Sequence, residues 1–340
     1  MKITNRTRFS TGVNFSSFTI IILTLALGAG LTFTSETFLS VNNIVSILYG
    51  VSINFWGAIG FVYLMIMGEM DLSVGSVYAF SGMMVGLLMK NHWPLLPALF
   101  VALTLSAVIG FINGFLVVRF KVPSMMITLG TMASVRGLAN LLCTWLYGYP
   151  YPPSYEALAR QRIGGVHLTT LIMIAVVIIL ELLLKRASFF KQMYYVGENI
   201  ETARIYGIKA GKQKIAIFTV MSLLAGIGGI LVGSRLRFAD STIGNGLEFT
   251  ILTAVVLGGA SLSGGKGSLL RAVVGLIFLA TITTGMVVHN IEPLIQQLIV
   301  GVILIVTVFI DTRVMGMGES LGGLGASRIP RHSPGTEVLE

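Results

Sequence analysis

Long uninterrupted apolar stretches set the first constraint on this chain. The run from Leu168 to Leu184 is continuous and about as long as a membrane crossing. A spanning helix needs roughly 20 mostly apolar residues, whereas barrel strands are short and alternate in polarity. Several such runs, and no alternating segments, predict an all-α polytopic membrane protein. Composition agrees: 54% of the 340 residues are hydrophobic and 11% are charged, where a soluble domain carries about 25% charged residues. A net charge of +9 would suggest nucleic-acid binding in a soluble protein. Here the basic residues line up along one side of the expected membrane, so lipid is the expected surround and no nucleic-acid partner is inferred. One cysteine, Cys143, excludes an internal disulfide or a Cys-based metal cluster.

The amino terminus imitates a signal peptide, with Lys2, Arg6 and Arg8 ahead of an apolar run from Phe18 to Phe33. That run is long enough to span, and the small-residue pattern Ala26-Leu27-Gly28 lies inside it rather than after it, which favours an uncleaved first helix. Further spans are expected at about 44–67, up to Met89, at 95–118, 124–145, from 168, at 215–234, 249–258, 269–288 and 294–310. This makes about ten helices in a single transmembrane domain over 1–312, with a polar tail at 313–340 expected to be disordered. The sizeable outer loop, 146–167, is expected to be partly irregular. With both termini cytoplasmic, the inner segments hold 17 Lys and Arg and the outer segments 5, a bias in the direction that insertion favours. No internal repeat stands out.

Seven of the inner basic residues lie between Lys185 and Lys214, a cytoplasmic loop in which Glu198 and Glu201 are the acids. Asn199 can cap a short helix there, with Glu201 in its first turn, Arg204 in its last and Gly207 as its stop. Such a helix at the inner face is either a docking knob for a cytoplasmic partner or part of an ordinary solvated loop.

Within the bundle, Glu69 and Asp71 stand at a membrane boundary without a basic neighbour in sequence. Carboxylates at that depth face a cavity or a polar partner, although Asp71 could simply cap the third helix. Arg136 lies inside the fifth span and needs an anion or carbonyls, unless it snorkels outward. Asn113 and Asn140 are either inter-helix glue or pore lining. The segment GGASLSGGKGS resembles a phosphate-binding loop only superficially: Ala260 stands where the first glycine belongs, Gly267 follows Lys266, and no strand precedes it. It is read as a sharp turn containing Gly258, Gly259, Gly264 and Gly265. Four scattered histidines make no metal site.

Four blocks, GEMDLSVGSVYAFSG (68–82), NGFLVVRFKVPSMMITLGTMASVRGLA (113–139), YYVGENIETARIYGIKAGKQKI (194–215) and ILTAVVLGGASLSGGKGSLLRAVVGLI (251–277), resemble the ribose-type permease subunits of bacterial ABC importers for simple sugars. The resemblance covers nearly the whole chain, in order. It implies a non-enzymatic permease of the bacterial inner membrane that passes a simple sugar or related polyol inward. The implied partners are a second permease copy or paralogue, a periplasmic sugar-binding protein and a cytoplasmic ATP-binding cassette ATPase. ATP and magnesium would sit on that ATPase, with no cofactor on this chain. It also implies a coupling helix within 196–208, giving Gly197, Glu198, Glu201, Ala203, Arg204 and Gly207 as ATPase-coupling candidates. Tyr63, Tyr78, Asn113 and Asn140 are candidates for the substrate path. Asp71, Arg136 and the four turn glycines are structural or gating candidates. Family members often have Gly-Gly-Ile-Asp where this chain has Gly68-Glu69-Met70-Asp71, so Glu69 is an added acid. Arg271 stands where a small residue is common, and Gly246-Leu247-Glu248-Phe249-Thr250-Ile251 departs from the usual acidic, alanine-rich segment. The competing reading is an ion-coupled secondary transporter using Glu69 and Asp71.

Overall fold

The computed structural model describes residues 15–240 and 242–326, with side chains over 19–240 and 242–311. The basic residues before the first helix, Lys2, Arg6 and Arg8, lie outside the described residues. The helices α1 (Phe15–Thr34), α2 (Val41–Ile66), α3 (Val74–Lys90), α4 (Leu95–Phe120) and α5 (Ser124–Trp145) are followed by a short α6 (Pro153–Arg160). A hairpin of β1 (Arg162–Ile163) and β2 (Val166–His167) then leads into α7 (Leu168–Arg186). After it come α8 (Ser188–Glu198), α9 (Ile200–Ile205), α10 (Ala210–Leu236), α11 (Leu247–Leu257), α12 (Leu269–Val288) and α13 (Pro293–Ala326).

Among the described residues, α2, α4, α5, α7, α10, α12 and residues 293–311 of α13 are long and apolar enough to cross a membrane. The apolar parts of α1, α3 and α11 are shorter. Together they occupy the segments expected to span, and the protein is a multi-pass, all-α membrane protein. The expected outer loop is more regular than its composition suggested, because Pro153 at the start of α6 presets a helical φ and Glu156 and Arg160 suit the two helix ends. Helix α13 continues to Ala326, and residues 327–340 of the polar tail lie outside the described residues.

The centre of the bundle is α2, α3 and α10, packed through glycine. A side-chain carbon on Gly82 would meet the Gly229 carbonyl at 2.6 Å, and one on Gly229 would meet the Tyr78 Cα at 2.6 Å. On the neighbouring helix, a carbon on Gly60 would meet the Met221 Cα at 2.7 Å. Lipid offers no hydrophobic drive for helices to associate, so close backbone approach and inter-helix hydrogen bonds supply the attraction. Ser81 donates one such bond to the Gly226 carbonyl at 3.0 Å. Outward positions are apolar, with Leu96 and Phe100 of α4 and Ile305 of α13 each more than two-thirds exposed, as a lipid-facing surface requires.

The basic end of the bundle carries α8, α9 and the turn between α11 and α12. At the opposite end α6 is fastened to the core: the Tyr155 hydroxyl lies 3.1 Å from the carbonyls of Gly82 and Ile230, and Arg237 pairs with Glu156 at 3.0 Å.

Candidate functional site

Among the helices at the basic end, α2, α11 and the short α9 close in the same way. After α2, Gly68 adopts a φ of +72°, its N–H donates to the Met65 carbonyl at 3.0 Å, and the Glu69 N–H reaches back to Leu64 at 2.9 Å. After α11, Gly259 adopts a φ of +82°, with bonds from its N–H to Val256 at 2.8 Å and from Ala260 to Val255 at 3.1 Å. Both are Schellman closures, in which glycine accepts a left-handed backbone at no steric cost. Each is followed by a polar residue, Leu and Ser: Asp71-Leu72-Ser73 and Ser261-Leu262-Ser263. In each triplet the final N–H bonds to the first side chain, Ser73 to Asp71 Oδ1 at 2.8 Å and Ser263 to Ser261 Oγ at 3.2 Å. The chain therefore carries a repeated helix break that sequence reasoning misses, because its signal is a short polar triplet rather than a long similarity.

The two breaks touch. The Gly265 N–H donates to the Ile66 carbonyl at 2.9 Å, and a side-chain carbon on Gly264 would lie 3.1 Å from the Gly68 nitrogen. Gly197, the penultimate residue of α8, completes this junction: a side-chain carbon there would collide with the Ile66 carbonyl and meet the Gly265 nitrogen at 2.7 Å. Gly258 is as confined, facing the backbone of Arg271 and Ala272 at 2.7 and 2.8 Å. All four turn glycines and Gly197 thus have a steric reason to be glycine.

Further contacts tie the basic block to this junction. Tyr194 of α8 donates to the Gly267 carbonyl at 2.9 Å; burial, followed by the neighbouring Glu181 carboxylate, pushes its phenol up to about 12, so it remains a donor. Glu181 of α7 accepts from the Leu269 N–H at 2.9 Å and the Ser268 hydroxyl at 3.1 Å, giving the start of α12 an anionic cap. Replacing Glu181 with Ala is expected to lower stability by about 2 kcal/mol, because those donors lose a charged acceptor; thermal unfolding of the purified protein measures it. Lys214 of α10 forms an ion pair with Glu69, immediately after Gly68.

The short helix has the expected caps. Asn199 accepts from the Thr202 N–H at 2.9 Å, Arg204 pairs with Glu201 at 2.9 Å, and Gly207 turns the chain with a φ of +77°. Ala203 is buried, whereas Ile205 and Tyr206 are 85% and 81% exposed. Beside them a groove of about 800 Å³ is lined by Gln192, Tyr195, Glu198, Asn199, Thr202 and Tyr206, among others. The block forms two helices rather than one: α8 is an amphipathic element whose Met193 and Val196 are buried.

The remaining candidates lie inside the bundle. Asp71 is fully buried, and its Oδ1 also accepts from the Ser73 hydroxyl at 2.5 Å, while its Oδ2 has no hydrogen-bond partner among the described residues. Ser73, the residue before α3, makes no side-chain cap of its own, so Asp71, two residues before Ser73, orders the turn that leads into the helix. Asn113 joins three helices, donating to Ser73 Oγ at 3.3 Å and accepting from Thr131 at 2.6 Å, which is the glue arrangement. Tyr78 is enclosed, its hydroxyl bonded to the Gly57 N–H at 2.9 Å and the Ile53 carbonyl at 3.1 Å. Tyr63 is buried with its ring 5.4 Å from Phe190, and its hydroxyl has no partner among the described residues. Arg136 donates to the Ile243 carbonyl at 2.6 Å, so it turns inward to the chain rather than snorkelling. Asn140 is exposed on α5.

Residues 43–308 match the family model described as "Branched-chain amino acid transport system / permease component". The ribose import permease protein RbsC of Bacillus subtilis is 30% identical over 282 residues, covering 82% of this chain and 87% of the relative. The autoinducer 2 import system permease protein LsrC of Enterobacter sp. (strain 638) is 33% identical over 259 residues, 75% of each chain. The L-arabinose ABC transporter permease protein AraH of Azospirillum brasilense is 29% identical over 292 residues, 86% of each. No solved structure matches.

Proposed function

The chain belongs to this family of transport-system permease components, and we propose that it passes a simple sugar or related polyol inward across the bacterial inner membrane, driven by a separate ATPase. The substrate class follows from the relatives named for ribose and L-arabinose import. The observation that carries the coupling part is the seating of α8 on both helix breaks, with the apolar tip of α9 left exposed. A short capped helix with Ile205 and Tyr206 facing outward suits insertion into a partner's groove. Closure of the ATPase subunits around ATP and magnesium would displace this helix, and rigid contacts at Gly197 would pass the motion to α2, α3, α11 and α12.

On α5, Gly130, Ser134, Gly137 and Asn140 are exposed and fall three or four residues apart, a polar and small face unsuited to lipid. It supports a second permease, a copy or a paralogue, opposite α5, with the path between them and Asn140 along it. Tyr63, Tyr78 and Asn113 serve packing on this reading. A soluble sugar-binding protein would deliver substrate at the α6 end.

Co-purification with a candidate cassette ATPase tests the coupling. Glu201→Arg combined with Gly207→Pro reverses the charge of the first turn and forbids the left-handed stop. Association with the ATPase and ATP-driven uptake in vesicles are both expected to disappear at matched expression. Uptake that persists without any ATPase and collapses with an ion gradient would sink the proposal and favour Glu69 and Asp71 as ion sites.

A further inference from the structure

We propose that the Glu69–Lys214 ion pair is a transmission strut, a positioning contact that keeps ATP hydrolysis and sugar movement in step; this rests on the importer reading above. The coupling segment is attached to the break after α2 at both its ends. At the leading end Gly197 packs on Ile66, and at the trailing end Lys214, in the first turns of α10, reaches Glu69. Glu69 is well placed to pass on a displacement: its own N–H closes the end of α2, and the next N–H, of Met70, donates to the Ser124 hydroxyl at the start of α5 at 3.2 Å. Two residues beyond Glu69, Asp71 orders the entrance to α3. A movement of α10's first turn relative to α2 therefore cannot leave α3 and α5 in place while the pair is intact.

The pair differs from the other contact in the block. Glu201 and Arg204 are neighbours on one short helix with side chains 72% and 58% exposed, whereas Glu69 and Lys214 are 11% and 16% exposed and lie 145 residues apart. An exposed pair of the first kind contributes little. A desolvated pair gains little net stability over apolar residues of similar size, but removing one partner is costly. Its physical effect is thus to fix geometry between two elements. No other salt bridge among the described residues joins the coupling segment or α10's start to a helix break.

The test uses the whole permease with its ATPase in vesicles, comparing wild type, E69M/K214M and the swap E69K/K214E, and reading association, ATP hydrolysis and sugar carried per ATP. The double methionine leaves no unpaired charge, so it is expected to fold and bind the ATPase, yet to carry about tenfold less sugar per ATP, within the usual range of coupling effects. The swap is expected to regain most of the ratio. A wild-type ratio in E69M/K214M overturns the strut, as does a swap no better coupled than the double methionine, or a double methionine that fails to fold, which would make the contact structural. A wild-type protein that neither binds an ATPase nor uses ATP overturns the importer reading itself, and is seen before any variant is compared.

Discussion

Replacing Gly229 with leucine is expected to abolish recoverable folded protein. A side-chain carbon at this position lies 2.6 Å from the Tyr78 Cα and collides with the Tyr78 carbonyl and the Ser81 hydroxyl. Two of these obstacles are backbone, so rotamer changes cannot relieve the clash, and α3 and α10 must separate. Separation would also break the Ser81 bond to Gly226 and strip Tyr78 of its packing on Gly228. Overpacking costs typically 1–3 kcal/mol; because the two backbones must also move apart, roughly 3 kcal/mol or more is expected here. Gly30 and Gly301 provide the control, because no atom of the described residues lies within 4 Å of a side-chain carbon at either. Alanine there is expected to leave thermal stability within about 1 kcal/mol of the parent. Size-exclusion profiles in detergent, followed by thermal unfolding, distinguish the cases; a monodisperse Gly229→Leu protein would refute the packing described for the centre.

Asp71 separates stability from ion coupling. Asp71→Leu removes the acceptor for the Ser73 N–H and hydroxyl in a fully buried site. Leaving those donors without partners costs about 2–4 kcal/mol, so folded yield is expected to fall sharply. Asp71→Asn keeps a carbonyl oxygen for them and is expected to retain most of the stability. Its uptake decides between mechanisms: ATP-driven import needs no charge at this position and is expected to continue, whereas an ion-coupled carrier would lose accumulation entirely. Uptake by Asp71→Asn in vesicles loaded with ATP and the ATPase, with and without an ion gradient, reads the difference.

The spans are legible in sequence because continuous apolar length is a local property, and α9 because Asn199 and Gly207 act on their own neighbours. The separate helix α8 does not stand out from the basic block, although Phe189, Met193 and Val196 are spaced to share a face. Long-range contacts leave no sequence trace: Glu69 has no basic neighbour in the chain, and its partner Lys214 reads only as part of an inner basic loop. Arg136 can be assigned a need for carbonyls, but not the identity of Ile243 as its acceptor. The paired breaks escape sequence comparison because Asp71-Leu72-Ser73 and Ser261-Leu262-Ser263 are too short to register as a repeat and stand at different distances from Gly68 and Gly259; the same side-chain-to-N–H bond following a Schellman closure is what makes them alike.

The length of α11 has a consequence for permeability. Its 11 residues rise roughly 16 Å, about half of a hydrocarbon core. Ahead of it runs the non-helical stretch 242–246, where Gly75 and Gly244 lie against each other and Arg136 holds the Ile243 carbonyl. Peptide groups outside a helix bind water readily, so a seal that such a short helix leaves to this stretch would depend on those neighbouring contacts staying closed over it. Passive leakage of small ions through vesicles in the absence of ATP is therefore a direct gauge of how tightly this protein seals while at rest.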